Sequence, residues 1–362
     1  MSNWYCTRES VKDAIKTTGA LRDALIDQHI EASSREIDRQ LRRRFIPKTQ
    51  TRSFRWPQDS DVVSRNRDAY TLRLDEDLLS VSALTGEGDD VVTIPVTEIF
   101  LEPANEGPPY SRLEIDRATS DATAIFTAGD TSQRAIRVTG SWGYGNETKA
   151  ASALAEADDG TETALNVTDS SLIGVGDTLL IGTEQMFVSA KGLLDTTANT
   201  NGALTASMSE TAVTVTDGSL VKAGEIITIN SERMYVAAVS GNVLTVVRAY
   251  DGSTLAAHAD AQDVYAPRTL TVTRGENGTT AASHADAAAI SKYVPPADIQ
   301  RLCRALVLAS YEQDQSGWTG QISGGQAAIA MESGQIRSVP SPLTLLWERA
   351  RQNYGRRLAM VL

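Results

Sequence analysis

The spacing of apolar residues divides the chain into a helical start, a long stretch of short strands and a helical end. From Arg8 to about Phe45 the period is helical: Val11, Ala14 and Ile15 fit a short helix that stops near Gly19. Ile26, Ile30, Ser33, Ile37 and Leu41 then recur at spacings of three and four, one face of a longer helix that Pro47 is expected to end. Beyond it the pattern changes to alternation bounded by turn residues. "YTLRLDEDLLSVSALTG", "VVTIPVTEIFLEP", "SRLEI" and "RAIRVTGSWGYG" read as short strands. From "YVPPADIQRLCRALVLASYEQD" the helical period returns, with Pro295 and Pro296 at the helix start, Asp298 in its first turn, and Ile299, Leu302, Leu306, Ala309 and Ser310 along one face. The Gly-rich "SGWTGQISGGQAAIAMESGQIRSVPSP" reads as a loop, and a last helix is predicted from about Pro342 to Arg357.

The middle of the chain repeats itself. "ALNVTDSSLIGVGDTLLIGTEQMFV" (164–188) aligns without a gap on "AVTVTDGSLVKAGEIITINSERMYV" (212–236), matching among others Val167 with Val215, Gly176 with Gly224, Glu184 with Glu232 and Met186 with Met234. A second pair, "LTVVRAYDGSTLAAHAD" (244–260) and "LTVTRGENGTTAASHAD" (270–286), follows at a different offset. The order is therefore first half, first half, second half, second half. Residues 212–265 contain both halves joined by "VSGN", whose Gly-Asn suits a tight hairpin, and make one complete β-module. The flanking halves, 164–191 and 268–290, make a second module whose hairpin tip accepted the first; two modules exchanging halves would use the same residues. The expected organisation is a body of 1–149 and 291–362, an outer module of 150–211 and 266–290, and a nested module of 212–265.

Charge sharpens that division. Net charge is -12 in 362 residues, yet residues 150–290 hold six Lys/Arg against seventeen Asp/Glu, so nearly all of the imbalance lies in the middle. The body is close to neutral and carries a basic run: Arg35 to Pro57 packs eight Lys/Arg against only Glu36 and Asp38. Arg35, Arg39 and Arg42 fall on the solvent side of the second helix, clear of its apolar stripe. Such a ridge can bind phosphates, but cations are also favoured at a helix C-terminus, and exposed Arg serves subunit contacts with acidic neighbours. No apolar run approaches the length needed to span a bilayer, and "MSNWYCTRES" lacks the form of a secretory signal. The expected setting is a cytoplasm, at least at first.

Sequence signatures of catalysis are few. "LIGVGDTLL" has Leu179 where a dinucleotide fingerprint needs its third glycine, and phosphate-loop, nucleophile-elbow and His-Glu-x-x-His motifs are not found. His258 and His284 occupy equivalent repeat positions in "AHAD" and "SHAD". A His-x-Asp pair can hold a metal, but a duplicated structural hydrogen bond explains both copies better. Glu184 and Glu232 recur in the same way and are read as parts of alternating strands. Cys6 and Cys303 lie far apart and suggest neither a disulfide framework nor a zinc site. The expectation is a protein that is not an enzyme and uses no cofactor.

The body resembles a known family. "SSREIDRQLRRRFIP", "DLLSVSALTGEGDDV", "FLEPANEGPPYSRLEI", "AIRVTGSWGYG" and the closing "VPPADIQRLCRALVLASYEQD" are similar to the head-tail connector (adaptor) proteins of tailed bacteriophages, over about residues 5–146 and 291–362. The strand ending "VTGSWGYG" with the proline-led helix is the most specific combination. The insertion departs from the short members of that family, and its repeats resemble small β-modules of other phage structural proteins. The resemblance implies an α+β fold, a helical adaptor body with a small antiparallel β region plus an inserted all-β two-module domain. It implies a ring of roughly twelve copies in the virion neck beneath the portal protein, with genomic DNA passing through as cargo and a tail or stopper protein below. Trp347, Arg351, Tyr354, Arg356 and Arg357 are the portal-contact candidates, and Arg35, Arg39, Arg42, Arg43 and Arg44 the intersubunit or channel candidates. The acidic modules would then meet capsid, fibre or tail components. A second reading, from a different class, makes the modules glycan- or receptor-binding, although residues 150–290 offer only Phe187, Tyr235, Tyr250 and Tyr265 as aromatic platforms.

Overall fold

The structure is a computed structural model, and it describes residues 3–55, 70–86, 93–116, 118, 133–315, 329–332, 335–338 and 342–356. Among these residues strand accounts for 40% and helix for 24%, in two large antiparallel sheets and four helices. This overturns the expected helical body with a small β region. The physical reason lies in strands with little apolar signal. β1 (Lys48–Phe54), for example, reads "KTQTRSF" and buries only Phe54, yet it pairs along its whole length with β6 (Ile136–Trp142).

Contacts divide the chain into two compact units. One comprises Met1–Ile37, Thr148–Glu276 and Thr280–Asn353; the other comprises Asp38–Glu147, Asn277–Thr279 and Tyr354–Leu362. The predicted N-terminal body is thus divided, the boundary falling inside a helix.

The second unit is built on a six-stranded sheet. Its order is β1-β6-β2-β5-β4, with β2 (Thr71–Gly86), β4 (Ile99–Glu102) and β5 (Tyr110–Ile115) in the path and β3 (Thr93–Ile94) paired to β2. Leu72, Leu78, Leu84, Leu113, Ile136, Val138 and Trp142 form its core. Trp142 is fully buried, stacks on Phe54 at 6.0 Å between centroids, and donates Nε1–H to the Gln50 carbonyl at 3.0 Å. Gly140 passes so close to β2 that a Cβ there would lie 2.0 Å from the Ser80 carbonyl oxygen.

In the first unit, α1 (Arg8–Ile15) is capped by Thr7, whose hydroxyl accepts from the Ser10 amide, and ends at Lys16 in the left-handed region. α2 (Asp23–Leu41), of which residues 38–41 belong to the second unit, buries Ile26, Ile30, Ser33, Ile37 and Leu41, the face its spacing predicts. It stops not at Pro47 but at Arg42, whose φ of 54° breaks the helix. α3 (Ala297–Gln315) buries Ile299, Leu302, Cys303 and Val307, so its inner face is turned towards Cys303 and away from the predicted Ala309 and Ser310. α4 runs from Pro342 to Tyr354. Within the Gly-rich stretch predicted as loop, β17 (Ile329–Glu332) and β18 (Gln335–Ser338) pair as an antiparallel ribbon.

The repeats form a ten-stranded sheet of order β11-β14-β13-β12-β15-β10-β9-β16-β7, with β8 paired to β15. Its strands are β7 (Thr148–Ala153), β8 (Ala164–Asn166), β9 (Thr178–Ile181), β10 (Glu184–Asn199), β11 (Ala212–Thr214), β12 (Ile226–Ile229), β13 (Glu232–Ser240), β14 (Val243–Val247), β15 (Asp263–Thr273) and β16 (Ala289–Tyr293). β13 and β14 pair as a hairpin, Tyr235 opposite Val247, Val236 opposite Val246, then after a bulge Ala238 opposite Thr245 and Ser240 opposite Val243. β10 and β15 repeat this register and its bulge: Phe187 opposite Thr273, Val188 opposite Val272, then Ala190 opposite Thr271 and Gly192 opposite Thr269. Where the first hairpin turns through Gly241 and Asn242, the second continues into the far halves of β10 and β15. Those halves carry the module of β11 to β14. Each module has its own apolar core, Met186, Val188, Leu270 and Val272 in one and Met234, Val236, Leu244 and Val246 in the other.

Candidate functional site

The recurring glutamates and histidines meet in two copies of one buried cluster. Glu232, at the start of β13, is 0% exposed, and its carboxylate accepts from Arg248 Nε at 2.7 Å and Nη2 at 2.8 Å. It also accepts the Ala249 and Ala256 amides at 2.9 and 3.1 Å, and His258 Nε2 lies 2.8 Å away. Glu184 repeats the set with Arg274 at 3.0 and 2.7 Å, the Gly275 and Ala282 amides at 3.1 and 3.0 Å, and His284 Nε2 at 3.0 Å. Burial by itself pushes each carboxyl up; the Arg fork, the imidazole and the two amides outweigh it and hold both at about 2. The histidine partner is thus the glutamate at the start of β13 or β10, not the aspartate two residues on. Arg248 and Arg274, which complete the clusters, recur at equivalent positions of the second repeat, and that recurrence was their signal in the sequence. Three acidic groups, Asp158, Asp159 and Glu162, come within reach of one another in the outer module, but Arg274 Nη1 already sits 2.6 Å from Asp158.

The arginine candidates differ in exposure. In the second unit Arg43 Nε lies 3.0 Å from Asp77 and its guanidinium stacks over Tyr144 at 4.9 Å. Arg44 Nε is 3.6 Å from Glu76, and Arg52 pairs with Asp75 at 2.6 Å and with Glu76. Arg356 donates from Nη2 to the Leu74 carbonyl at 3.0 Å and lies 3.7 Å from Asp77. The "DED" run of β2 thus gathers basic side chains from both ends of the chain. Asp77 is 5% exposed, and burial raises its pKa against the pull of Arg43 and Arg356. Tyr354 packs edge-on against Phe45 and Tyr144 at 5.6 and 5.3 Å. Arg39 and Arg42 are exposed. In the first unit Arg35 is half-buried, donates to the Asn3 carbonyl and lies 3.9 Å from Glu31, while Arg351 is exposed and stacks over the half-buried Trp347 at 5.4 Å. Arg357 lies outside the described residues.

The first unit also holds a cavity of about 340 Å³ lined by Glu9, Lys191, Glu225, Tyr235, Tyr250 and Lys292 among others. Its charges have partners in the fold. Lys191 Nζ donates to the Ser170 and Ile173 carbonyls at 3.1 and 2.6 Å, and burial lowers its pKa. Glu225 is gripped by Arg268 at 2.8 and 2.7 Å, and Lys292 meets Asp177 at 2.9 Å. Tyr235 and Tyr250 stand 5.5 Å apart with planes 31° from parallel. No helix among the described residues is long and apolar enough to cross a membrane. Compared with protein-family models, with curated proteins and with solved structures, the chain has no match.

Proposed function

We propose that the chain is a structural virion protein, a head-to-tail adaptor that forms a ring of roughly twelve copies beneath the portal and supplies the docking platform and channel for the tail. The reading rests on the resemblance of the body segments, and one observation carries it further. Tyr144 of "SWGYG" lies under the guanidinium of Arg43 of "QLRRRFIP" and packs edge-on against Tyr354 at the end of α4, so segments far apart in sequence that bear the resemblance meet in a single cluster. In this reading Arg43, Arg44, Tyr354 and Arg356 shape the surface from within, while Arg39, Arg42 and Arg351, which stand exposed, face neighbouring copies or the portal protein. A tail or stopper protein docks below, DNA passes as cargo, and the acidic modules meet capsid or fibre proteins. The test is the native mass of the chain alone and mixed with the portal protein of the same virus. Many copies per portal ring support the adaptor; a monomer that ignores the portal overturns it. The tyrosine pair in the 340 Å³ cavity favours a second reading, glycan or receptor binding by the modules, for which glycan binding by the same preparation is the test.

A further inference from the structure

The fold brings together two side chains that sequence separates by 297 positions. Cys6, half-buried in the segment before α1, has its Sγ 3.2 Å from the Sγ of Cys303, which is fully buried on the inner face of α3. This is closer than two thiol sulfurs pack without interacting, and a disulfide bond needs a further approach of only about 1.2 Å. The segment that carries Cys6 is held firmly. Trp4 Nε1 donates to Glu31 at 2.6 Å, the Tyr5 amide donates to Ser34 Oγ at 3.1 Å, and Arg8 Nε donates to Asp27 at 2.7 Å. All three acceptors lie on α2, and Ser34 Oγ is itself 3.5 Å from Cys303 Sγ. The two sulfurs are therefore preset by contacts on either side of them and do not meet by the chance swing of a loose terminus.

We propose that Cys6 and Cys303 are a thiol pair built to form an intramolecular disulfide on exposure to a small external disulfide such as oxidised glutathione, stapling the N-terminal segment to α3. Access dictates the order of events. Cys303 is closed off, so Cys6, once deprotonated, attacks the glutathione disulfide, forms a mixed disulfide and expels one glutathione thiolate. Cys303 Sγ, as thiolate, then attacks the Cys6 sulfur and expels the second. Both cysteine sulfurs are oxidised, the glutathione disulfide is reduced by two electrons, and the two thiol protons pass to the released glutathiones. The hydrogen bond that Cys6 donates to Cys303 raises the Cys6 pKa and opposes loss of its proton, so the first attack runs through the minor thiolate fraction of Cys6 and is the slower step; the Ser34 hydroxyl beside Cys303 favours the Cys303 thiolate for the second. The inference is independent of the adaptor reading, because it uses only the first unit and requires no partner protein.

The experiment treats the full chain with oxidised glutathione, alkylates residual thiols under denaturing conditions and reads the intact mass without reductant. The expected product has lost two hydrogens, takes up no alkylating agent, retains no glutathione and yields a proteolytic peptide joining Cys6 to Cys303. Its thermal midpoint lies roughly 5–10 °C above that of the reduced chain, because the closed loop is long, and dithiothreitol reverses the shift. Cys6→Ser has one midpoint under both conditions. The proposal is overturned by both thiols remaining open to alkylation, by a stable glutathione adduct on Cys6, by disulfide-linked dimers, or by a bond that leaves the midpoint unchanged or lower.

Discussion

Truncating Glu232 to alanine removes the acceptor shared by Arg248, His258 and the Ala249 and Ala256 amides. Arg248 is 1% exposed and keeps as hydrogen-bond partners the Thr205 and Ala256 carbonyls, so its charge stays buried without a hydrogen-bonded counter-ion. Breaking a buried pair from one side costs about 3–5 kcal/mol. The acid-base linkage gives a consistent size: a carboxyl held at about 2 instead of 4.5 corresponds to roughly 3 kcal/mol. Urea unfolding read by fluorescence and by hydrogen exchange is the assay, and the loss of protection is expected first in β13 and β14 while β9 and the first half of β10 keep theirs. Replacing Glu232 and Arg248 together by leucine and methionine removes both charges from the core and is expected to restore most of the loss. A Glu232→Ala variant that loses less than about 1 kcal/mol, or a double variant no better than the single one, would refute the claim that the charge pair organises the module.

The twin carboxylates also set a pH dependence. Both folded-state pKa values lie below the ordinary 4.5, so their contribution is fully present above about pH 4.5 and is lost as pH falls towards 2. Thermal midpoints are expected to be level from pH 7 to 5 and to drop steeply between pH 4 and 2; a stability that rises on acidification over that range contradicts the assignment. Gly140→Ala is expected to cost about 1–3 kcal/mol in the six-stranded unit, because its Cβ meets the Ser80 backbone and not a side chain that can turn away. A neutral result in chemical denaturation would show that β2 and β6 separate more easily than their register implies.

What the sequence discloses here depends on whether a feature is local. The α2 stripe of Ile26, Ile30, Ile37 and Leu41 is legible because each residue's partner face follows from the helical period alone. The repeat is legible for a similar reason, since Val167, Gly176 and Met186 have counterparts at one constant offset. The large share of strand is not, because β1 buries a single apolar residue and its place is set by the ladder it forms with β6. The long β10 and β15 are also hidden, for each joins residues of two repeat copies that composition reads as separate. Glu184, Arg274 and His284 are visible as recurring residues, but that they meet is not, since Arg274 follows the end of β15 and Glu184 begins β10. Cys6 and Cys303 give no hint of each other, and α3 turns its Cys303 face inward although Leu306 and Ala309 fit a stripe equally well in projection. The "DED" run of β2 lies within a stretch read as strand, but it sits across a register shift between Arg73 and Leu78 and collects arginines whose partners only the fold identifies.

The equivalence of the two hairpins extends to the atoms at their tips, and this makes the insertion itself testable. In the nested module the Asn242 carbonyl accepts the Val215 amide at 2.9 Å, and Asn242 Oδ1 accepts the Gly218 amide at 3.1 Å. In the outer module the Arg268 carbonyl accepts the Val167 amide at 3.0 Å, so Arg268 stands where Asn242 does. Its side chain cannot accept a hydrogen bond. The Ser170 amide, counterpart of Gly218, is accepted at 3.1 Å by Glu225, a residue of the nested module that Arg268 holds in place. Arg268 and Glu225 together thus do what one asparagine side chain does at the original turn. Replacing residues 193–267 by a single glycine and Arg268 by asparagine should therefore restore the Gly-Asn turn, return an acceptor to the Ser170 amide and leave an outer module that unfolds cooperatively. The same excision with Arg268 retained lacks that acceptor and should be less stable by about 1–3 kcal/mol in urea unfolding. Equal stability of the two excised chains would mean that Asn242 and Arg268 are equivalent only in position. Failure of both to unfold cooperatively would mean that the outer module depends on the module at its tip.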